Sequence, residues 1–577
     1  MARISARPDI SAEVHKALSL YQAGGLAEAV AIISAIKPDK RDTNTHLLFG
    51  RIYARARLWA AAEQAYRAVL MADRHNVAAA EGLASILNTL GRGAETLKVT
   101  TPFAVNPACG PDLLYEHAEA ERSLGMLEAS LETCLRIVKL APASAVAEHN
   151  VAARLGDLRQ YAQAQAAAER AFAKGSEASE TWLVYGRALQ GQDRYDEAEA
   201  AYQRALAGPR PCIDAHLDLA QSIWMRTGDA KAASKWLDQA MAATPDQPQL
   251  AHFKSKLLDY TGDKHGAYQV LVSTIRSSQQ STVTLELQAA DAALALGDLE
   301  AASFHAERVR QVAPEDPNLL RVVCDLYLAL GRGAEAIEAA ERLYQLLPMD
   351  RSVLARLATA WRLTGDDRYG SLYAYGQFVK TFDIETPDPW ADLPSYLADL
   401  ATSLEAAHGL IAHPLGQSLR GGSQTLQNLL QSQDPAIAAL FAAIDAPIRQ
   451  YIAQLGRGRD ALRQGNLGGY QFSGAWSVHL RPGGFHTDHV HPKGWLSSAF
   501  YVDTPSAVEA GGREGWLKFG QPGIATLPAL EAEHWVKPQP GRLVLFPSYM
   551  WHGTVPFTSK DRRLSIAFDL VPDRPRR

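Results

Sequence analysis

The sequence has 577 residues, more than one hydrophobic core can organise, so it predicts two or more domains. Its composition, 47% hydrophobic and 21% charged, excludes a largely disordered chain. The formal net charge of −5 gives no electrostatic reason to expect a nucleic-acid partner. We also expect no membrane span, because no window approaches the eighteen or more apolar residues that crossing a bilayer requires.

The cysteines and the N-terminus together predict a cytoplasmic protein. The stretch MARISARPDISAEVHKAL lacks the continuous apolar run of a signal peptide. The cysteines are scattered without CxxC spacing, which predicts reduced thiols rather than a disulfide framework. They are Cys109, Cys134, Cys212 and Cys324.

Residues 10–384 have the pattern of an all-α solenoid. Glycines recur every 34 or 35 residues, each at the end of an apolar helical run: Gly228, Gly262, Gly297, Gly331 and Gly365. An alanine follows four of these glycines after five residues: Ala233, Ala267, Ala302 and Ala336. Such a period predicts stacked helical hairpins, about ten of them before residue 380.

One of these repeats carries a family resemblance. The stretch WLVYGRALQGQDRYDEAEAAYQRAL, residues 182–206, resembles the tetratricopeptide motif in its aromatic, glycine, tyrosine and alanine positions. The resemblance implies a tetratricopeptide (TPR) solenoid, whose extended concave face suits a protein or peptide partner.

The sequence pattern changes near residue 385, where TPDPWADLP places three prolines in nine residues. Two amphipathic helices are predicted within 390–455, in YLADLATSLEAAHGLI and PAIAALFAAIDAPIRQYIAQL, with the loop HPLGQSLRGGSQT between them. Short β-branched and aromatic runs over 470–572 predict the strands of a β-sandwich or jelly roll. We therefore predict a multidomain α + β protein with a second domain at 385–577.

The stretch GGFHTDHVHPKGW, residues 483–495, offers two alternative metal-binding pairs. His486 and Asp488 form an HxD pair, and His489 and His491 form an HxH pair. Side chains alternate along an extended segment, so the two pairs face opposite ways and one pair is expected to serve a metal. His552, in GRLVLFPSYMWHGTVPF, is the predicted distant ligand of a facial triad, the arrangement that holds non-haem Fe(II).

From about residue 470 the chain resembles the 2-oxoglutarate and Fe(II)-dependent oxygenases, through its HxHP element, its later FPS and the histidine that follows. The resemblance implies a double-stranded β-helix (jelly roll). In prolyl and aspartyl hydroxylase relatives the first metal histidine follows the glycine of a PG turn by six residues, which here places it at His489, six after Gly483. The resemblance favours His489, His491 and His552, with His491 where a carboxylate is usual. The pair His486 and Asp488 remains the alternative, as does the absence of a metal.

The cosubstrate implied by this family needs a cation for its far carboxylate, and the planar fork of arginine suits that role. Along RRLSIAFDL, Arg563 shares a face with Ser565 and Ala567, whereas Arg562 shares one with bulky apolar residues. Arg563 also follows His552 by eleven residues, close to the spacing in the family. We therefore predict that Arg563 binds 2-oxoglutarate.

The resemblance implies a 2-oxoglutarate-dependent dioxygenase that uses Fe(II) and O2, with a hydroxylase acting on a protein or peptide recruited by the helical arm as the expected form. No catalytic side chain is expected beyond the metal site, and His479 and His534 are predicted to be structural. Two alternatives remain at this point. One is a non-catalytic TPR scaffold with a degenerate oxygenase domain, and the other is a cupin-like metalloprotein that does not use 2-oxoglutarate.

Overall fold

The computed structural model of the chain describes residues 10–36, 42–208, 212–278 and 282–573. The first nine residues of the N-terminal stretch MARISARPDISAEVHKAL, for which no signal peptide was predicted, lie outside the described residues. The chain divides into two compact units, Met1–Pro211 and Cys212–Arg577.

The described part of the first unit consists of twelve helices that pair in chain order as six hairpins. They are α1 (Ile10–Gln22), α2 (Leu26–Ala35), α3 (Thr43–Arg55), α4 (Trp59–Ala72), α5 (Val77–Thr89), α6 (Gly93–Ala104), α7 (Pro111–Ser123), α8 (Leu127–Leu140), α9 (Ala145–Asp157), α10 (Tyr161–Ala173), α11 (Ser179–Gln190) and α12 (Tyr195–Ala207). In the repeat closest to the TPR motif, a Cβ on Gly186 would lie 2.5 Å from the ring of Tyr202. A glycine is therefore needed where the two helices of this hairpin touch.

The described part of the second unit begins with four more hairpins and a further helix. They are α13 (Asp214–Thr227), α14 (Ala230–Ala243), α15 (Pro248–Thr261), α16 (Lys264–Ser277), α17 (Val283–Leu296), α18 (Leu299–Arg310), α19 (Pro317–Ala329), α20 (Gly333–Leu346) and α21 (Arg351–Thr364). The predicted glycines end their helices in the left-handed conformation, as at Gly262 (φ 100°), which favours a residue without a Cβ. The helical solenoid is thereby confirmed, and all four cysteines are free thiols.

The rest of the described second unit contains five α-helices and nine strands. They are α22 (Arg368–Leu372), α23 (Tyr375–Phe378), β1 (Lys380–Asp383), α24 (Leu393–Ala407), β2 (Leu419–Gln424), α25 (Pro435–Ala443), α26 (Asp445–Leu455), β3 (Tyr470–His486), β4 (Leu496–Asp503), β5 (Leu517–Phe519), β6 (His534–Val536), β7 (Arg542–Pro547), β8 (His552–Thr554) and β9 (Arg563–Pro572).

The strands form two antiparallel sheets. The larger has the order β1-β7-β4-β9-β3-β2, and the smaller has the order β6-β5-β8. Neighbours such as β3 and β9 are far apart in sequence, as the strands of a jelly roll are. The predicted fold class, a helical solenoid followed by an antiparallel β region with flanking helices, is confirmed.

Three local predictions were wrong. Residues 380–383 are not helical, because they pair with β7 as an edge strand. The predicted loop between the helices contains β2, whose Gly422 lets the backbone approach β3 so closely that a Cβ would lie 2.3 Å from the His479 carbonyl. The single helix expected over 435–455 is two helices, since Pro447 lacks the N–H that would continue the first helix.

The segment Pro435–Leu455 also corrects the expectation about apolar windows. Within the described residues it is one helical segment that is long and apolar enough, by length and composition, to cross a bilayer. Its apolar side chains, including Ile437, Leu440, Ile448 and Ile452, lie in the hydrophobic core that also contains the sheet residues Phe500 and Ile566. The segment is therefore part of the packing around the larger sheet.

The last repeat helix and the β region share a core. Ala355 and Ala358 of α21 lie in the same buried cluster as the sheet. The indole Nε1 of Trp551 donates to Thr359 Oγ1 at 2.9 Å, and the amide of Arg351 donates to the Pro492 carbonyl at 2.9 Å. The change in sequence pattern near residue 385 therefore lies inside one compact unit.

Candidate metal centre

The segment that follows β3 runs antiparallel to the segment that enters β8. The amide of His489 donates to the carbonyl of His552 at 2.9 Å, and the amide of His552 donates to the carbonyl of His489 at 3.0 Å. Two residues further on, the amide of His491 donates to the Ser548 carbonyl at 3.0 Å. This backbone pairing brings the HxH pair beside the distant histidine, as expected from a jelly roll.

The side chains of His489, His491 and His552 converge. Their candidate ligand nitrogens all lie within 4.8 Å of one another, and the Nε2 atoms of His489 and His491 are 3.2 Å apart. The rings of His489 and His552 have centroids separated by 4.2 Å. Among the described residues, these are the histidines that form a group able to hold a metal ion.

Hydrogen bonds to backbone carbonyls orient two of the three imidazoles in the same way. Nδ1 of His489 lies 2.8 Å from the Thr487 carbonyl, and Nδ1 of His552 lies 2.9 Å from the Met550 carbonyl. A carbonyl can accept a hydrogen bond but cannot donate one, so each Nδ1 carries the proton. Nε2 is therefore the atom of each ring that carries the lone pair and could bind a cation, at His489 in place of its present hydrogen-bond donors.

Asp569, on β9, is the partner of His491 and was not predicted. Both of its carboxylate oxygens lie 2.7 Å from His491 Nδ1, and the Ser497 hydroxyl donates to Oδ1 at 2.7 Å. Strand alternation could have found this residue, because Asp569 lies on the same face as Arg563. The carboxylate thus lies behind a histidine rather than among the converging groups.

Burial and neighbouring charges shift the pKa values of the three histidines in different directions. Burial lowers the pKa of His489 to about 3 and that of His552 well below its ordinary value, and the neighbouring histidines add to both shifts. Burial also acts to lower the pKa of His491, but the charge and hydrogen bond of Asp569 outweigh it and raise the pKa. His489 and His552 are therefore neutral at pH 7, which is the form that binds metals.

The alternative HxD pair is divided between two environments. His486 lines the same cavity, where its Nδ1 is 3.0 Å from the Ser418 hydroxyl, but it is not a member of the converging group. Asp488 instead forms a 2.8 Å ion pair with Lys518. The structure therefore does not gather His486 and Asp488 around His552.

Arg563 lies inside the cavity, with 2% of its surface exposed. Its guanidinium carbon is 4.9 Å from the centroid of the Tyr501 ring, and its Nε has no hydrogen-bond partner among the described residues. Arg562 is directed outwards, where it pairs with Glu405 and Asp503. A buried guanidinium with an unused donor is suited to an anionic ligand.

The cavity has a volume of about 580 Å³, within the range of small-molecule sites. Trp476 stacks on His491 with ring centroids 6.1 Å apart, and Phe546 packs against His552 at 4.6 Å. Aromatic rings therefore pack beside two of the three converging histidines. His479 and His534 are not among the lining residues, and His534 stacks on Tyr375 at 5.2 Å.

Two kinds of family model match the chain in the regions where the sequence suggested them. Residues 474–569 match the family described as "Putative 2OG-Fe(II) oxygenase". Tetratricopeptide repeat models match residues 191–257 by one family and residues 152–211 and 287–350 by another. The two resemblances are therefore confirmed: the chain has TPR repeats between 152 and 350 and an oxygenase-family domain at 474–569.

Among solved structures the chain is similar to several TPR proteins. A tetratricopeptide repeat protein from Parabacteroides merdae is 14% identical, with 48% of this chain and 96% of that chain covered and a TM-score of 0.32. Yeast Tom70 is 11% identical, with 62% and 96% covered and a TM-score of 0.32. A thermophilic TPR protein of Thermus thermophilus is 21% identical, with 32% and 99% covered and a TM-score of 0.27. The search of curated proteins found no significant match.

Proposed function

We propose that this chain, which joins TPR repeats to an oxygenase-family domain, is a 2-oxoglutarate- and Fe(II)-dependent dioxygenase that hydroxylates a protein or peptide recruited by the repeats. The observation that supports this most directly is the convergence of three histidines in one cavity with a buried arginine. The histidines would supply metal ligands, and the arginine would supply the cation that a dicarboxylate needs. The family match at 474–569 supports the same chemistry.

The donor set fits a divalent iron. His489 and His552 present neutral Nε2 lone pairs because their Nδ1 protons are held by backbone carbonyls. His491 is placed to complete the set, with Asp569 providing a negative charge behind the ring. The 3.2 Å contact between the Nε2 atoms of His489 and His491 needs a proton between them. A cation bound by both nitrogens would replace that proton.

Arg563 fits the second requirement. The far carboxylate of 2-oxoglutarate would accept hydrogen bonds from the guanidinium, whose Nε has no other partner among the described residues. Tyr501 supports the guanidinium from its ring face. When bound together, Fe(II) and 2-oxoglutarate supply the oxygen activation that inserts an oxygen atom into a C–H bond. The protein residues orient the ligands and keep water out.

One experiment tests the proposal. Fe(II) and then 2-oxoglutarate are added anaerobically to the purified protein, and the visible charge-transfer band of the chelate is recorded. We expect a band in the wild type and none in His552→Ala. A wild-type protein without the band would refute the proposal. A chelate band without substrate-stimulated release of succinate would favour the non-catalytic scaffold. Metal-dependent oxidation that does not require 2-oxoglutarate would favour a cupin-like enzyme.

A further inference from the structure

Tyr260 lies where two cavities of the second unit meet. It lines the cavity that contains the three histidines, and it also lines a groove of about 200 Å³ formed largely by α15 and α17. These are the first helices of two neighbouring hairpins. A chain lying in the groove on the repeats would therefore reach the histidine cavity by passing this one side chain.

The mouth of the histidine cavity, which is lined by Gly416, Gln417, Ser418 and Tyr260, is fixed to the repeats by hydrogen bonds to backbone carbonyls. The loop between α24 and β2 places Gly416, Gln417 and Ser418 along the cavity wall. The same loop is tied to α13, because the indole of Trp224 donates to the His413 carbonyl at 2.9 Å. The Met225 carbonyl also accepts hydrogen bonds of 2.8 Å from two successive amides of the loop. Repeats and β region therefore build this mouth together.

Three cations without carboxylate partners line the histidine cavity or the adjoining groove. Arg420 lies over the ring of Tyr260, with its guanidinium carbon 4.9 Å from the centroid, and donates to two backbone carbonyls. The ammonium of Lys256 lies 3.6 Å from the point that a Cβ on Gly416 would occupy, and Lys493 is exposed on the cavity wall. Among the described residues, no carboxylate oxygen lies within 4.0 Å of the charged nitrogens of these three side chains.

The carboxylates in and beside the two cavities do not neutralise this charge. Asp569 is held by His491, and Asp291 is held by both terminal nitrogens of Arg321 at 2.9 and 2.6 Å. Asp259, in the groove, offsets one of the three cations. In the loaded site, the two negative charges of the cosubstrate would balance the two positive charges of Fe(II). The negative charge of Asp569 would balance the positive charge of Arg563. Positive charge therefore remains at the mouth.

We propose that the mouth selects an acidic peptide: the substrate carries an aspartate or glutamate beside the residue that reacts. Its carboxylate binds Arg420 and Lys256, and its chain continues past Tyr260 into the groove between α15 and α17. This inference rests on the proposed function. Charge-assisted hydrogen bonds from a partly buried arginine are strong enough to distinguish a carboxylate from the amide of the same shape.

The test uses fluorescein-labelled decapeptide pools that differ in one fixed central residue, aspartate, asparagine or lysine. Binding to the full-length protein is measured by anisotropy under anaerobic conditions with Fe(II) and 2-oxoglutarate present. We expect the aspartate pool to bind about tenfold more tightly than the asparagine pool. Arg420→Gln and Lys256→Gln should each reduce that preference, whereas Lys235→Gln, an exposed lysine on α14, removes the same charge and should not change it.

Several outcomes would overturn the inference. Equal binding of the aspartate and asparagine pools to the wild type would do so, as would a preference that survives both Arg420→Gln and Lys256→Gln. Tighter binding of an oligonucleotide of equal charge would also overturn it. If Arg420→Gln fails to fold, Arg420→Lys is measured in its place, because it keeps the charge but removes the planar guanidinium. The chelate band, recorded on the same wild-type sample, separates failure of this inference from failure of the proposed function.

Discussion

Both carboxylate oxygens of Asp569 lie 2.7 Å from Nδ1 of His491, so one histidine of the converging group has an anionic partner while the other two have backbone carbonyls. A negatively charged partner increases the basicity of an imidazole more than a carbonyl does. A carboxylate that bound the metal directly would bring it a negative charge. Here the carboxylate of Asp569 supplies that charge from behind the ring of His491.

This relationship predicts the effect of Asp569→Asn. The amide keeps the shape but removes the charge, so we expect metal affinity to fall by about 10- to 100-fold. Anaerobic titration with Co(II), followed by absorbance, measures the affinity. Asp488→Asn is the matched control, because Asp488 pairs with Lys518 instead. Equal losses in the two variants would contradict a special role for Asp569.

Alanine substitutions should separate the histidines that converge from the one that only lines the cavity. We expect His489→Ala and His552→Ala to lose metal binding, because each removes a nitrogen of the group. His486→Ala should retain it, since His486 contacts Ser418 and lies outside the group. Metal content after dialysis, measured by atomic absorption, decides. Retention of metal by His552→Ala together with loss in His486→Ala would contradict the proposed group.

Arg563 should control the concentration of 2-oxoglutarate that the protein needs. Arg563→Ala removes a buried charge partner, which costs about 2–5 kcal/mol of ligand binding, or about 30-fold or more in affinity. Half-saturation of the chelate band gives the affinity directly. Arg562→Ala is the control, because Arg562 pairs with Asp503 on the outside. A similar loss in both variants would argue against an arginine site in the cavity.

Periodicity and strand alternation predicted the helix ends and the direction of Arg563, but alternation was wrong at His486, which lines the same cavity as His489 and His491. The glycine period located helix ends, because a left-handed residue must follow each helix at a fixed point of the repeat. Strand alternation directed Arg563 inwards and Arg562 outwards, which is how the structure places them. The same argument extended by six residues would have included Asp569.

Other features could not be predicted, because they depend on partners distant in sequence. Residues 380–383 become a strand through pairing with β7, some 160 residues later. Gly421 and Gly422 suggested a loop from the sequence. In the structure they lie in β2, where the absence of side chains allows the backbone of β3 to approach closely. The shared core of α21 and the sheet also has no local signal, since Ala355 and Ala358 fit an ordinary repeat position.

The repeats of the first unit allow a prediction about pH. Burial acts to raise the pKa of Glu148, but Lys174 and Arg170 outweigh it and hold the pKa below its ordinary value of 4.5. A depressed pKa in the folded state contributes stability above pH 4.5, and that stability is lost as the pH falls through the folded-state value. Glu148→Gln should therefore destabilise α9 and α10 by about 1 kcal/mol at pH 7.

The difference between Glu148→Gln and wild type should begin to shrink below pH 4.5 and should vanish once the pH is below the folded-state pKa of Glu148, because both side chains are then uncharged. Hydrogen exchange of peptides from α9 and α10, compared with wild type at each pH, measures it. Glu177→Gln changes an exposed carboxylate near the same hairpin and should have little effect at any pH. A difference that stays constant from pH 7 down to well below pH 4.5 would show that the charge of Glu148 is not what stabilises these helices.

Two substitutions of buried alanines should test how far the metal centre depends on the repeats. Ala302 and Ala355 are both completely buried helix residues, but Ala302 packs against its own hairpin and the next one, whereas Ala355 packs in the core of the sheet. Tryptophan at either position overfills the site, at a cost of about 1–3 kcal/mol or more.

Because solenoid repeats interact mainly with their neighbours, we expect Ala302→Trp to loosen α17 to α19 while the chelate band persists. Ala355→Trp should abolish the band, since α21 holds Trp551, the residue before His552, by a hydrogen bond to the Ala355 carbonyl. The band and hydrogen exchange are measured on the same samples. Loss of the band in Ala302→Trp as well would show that the whole second unit folds cooperatively.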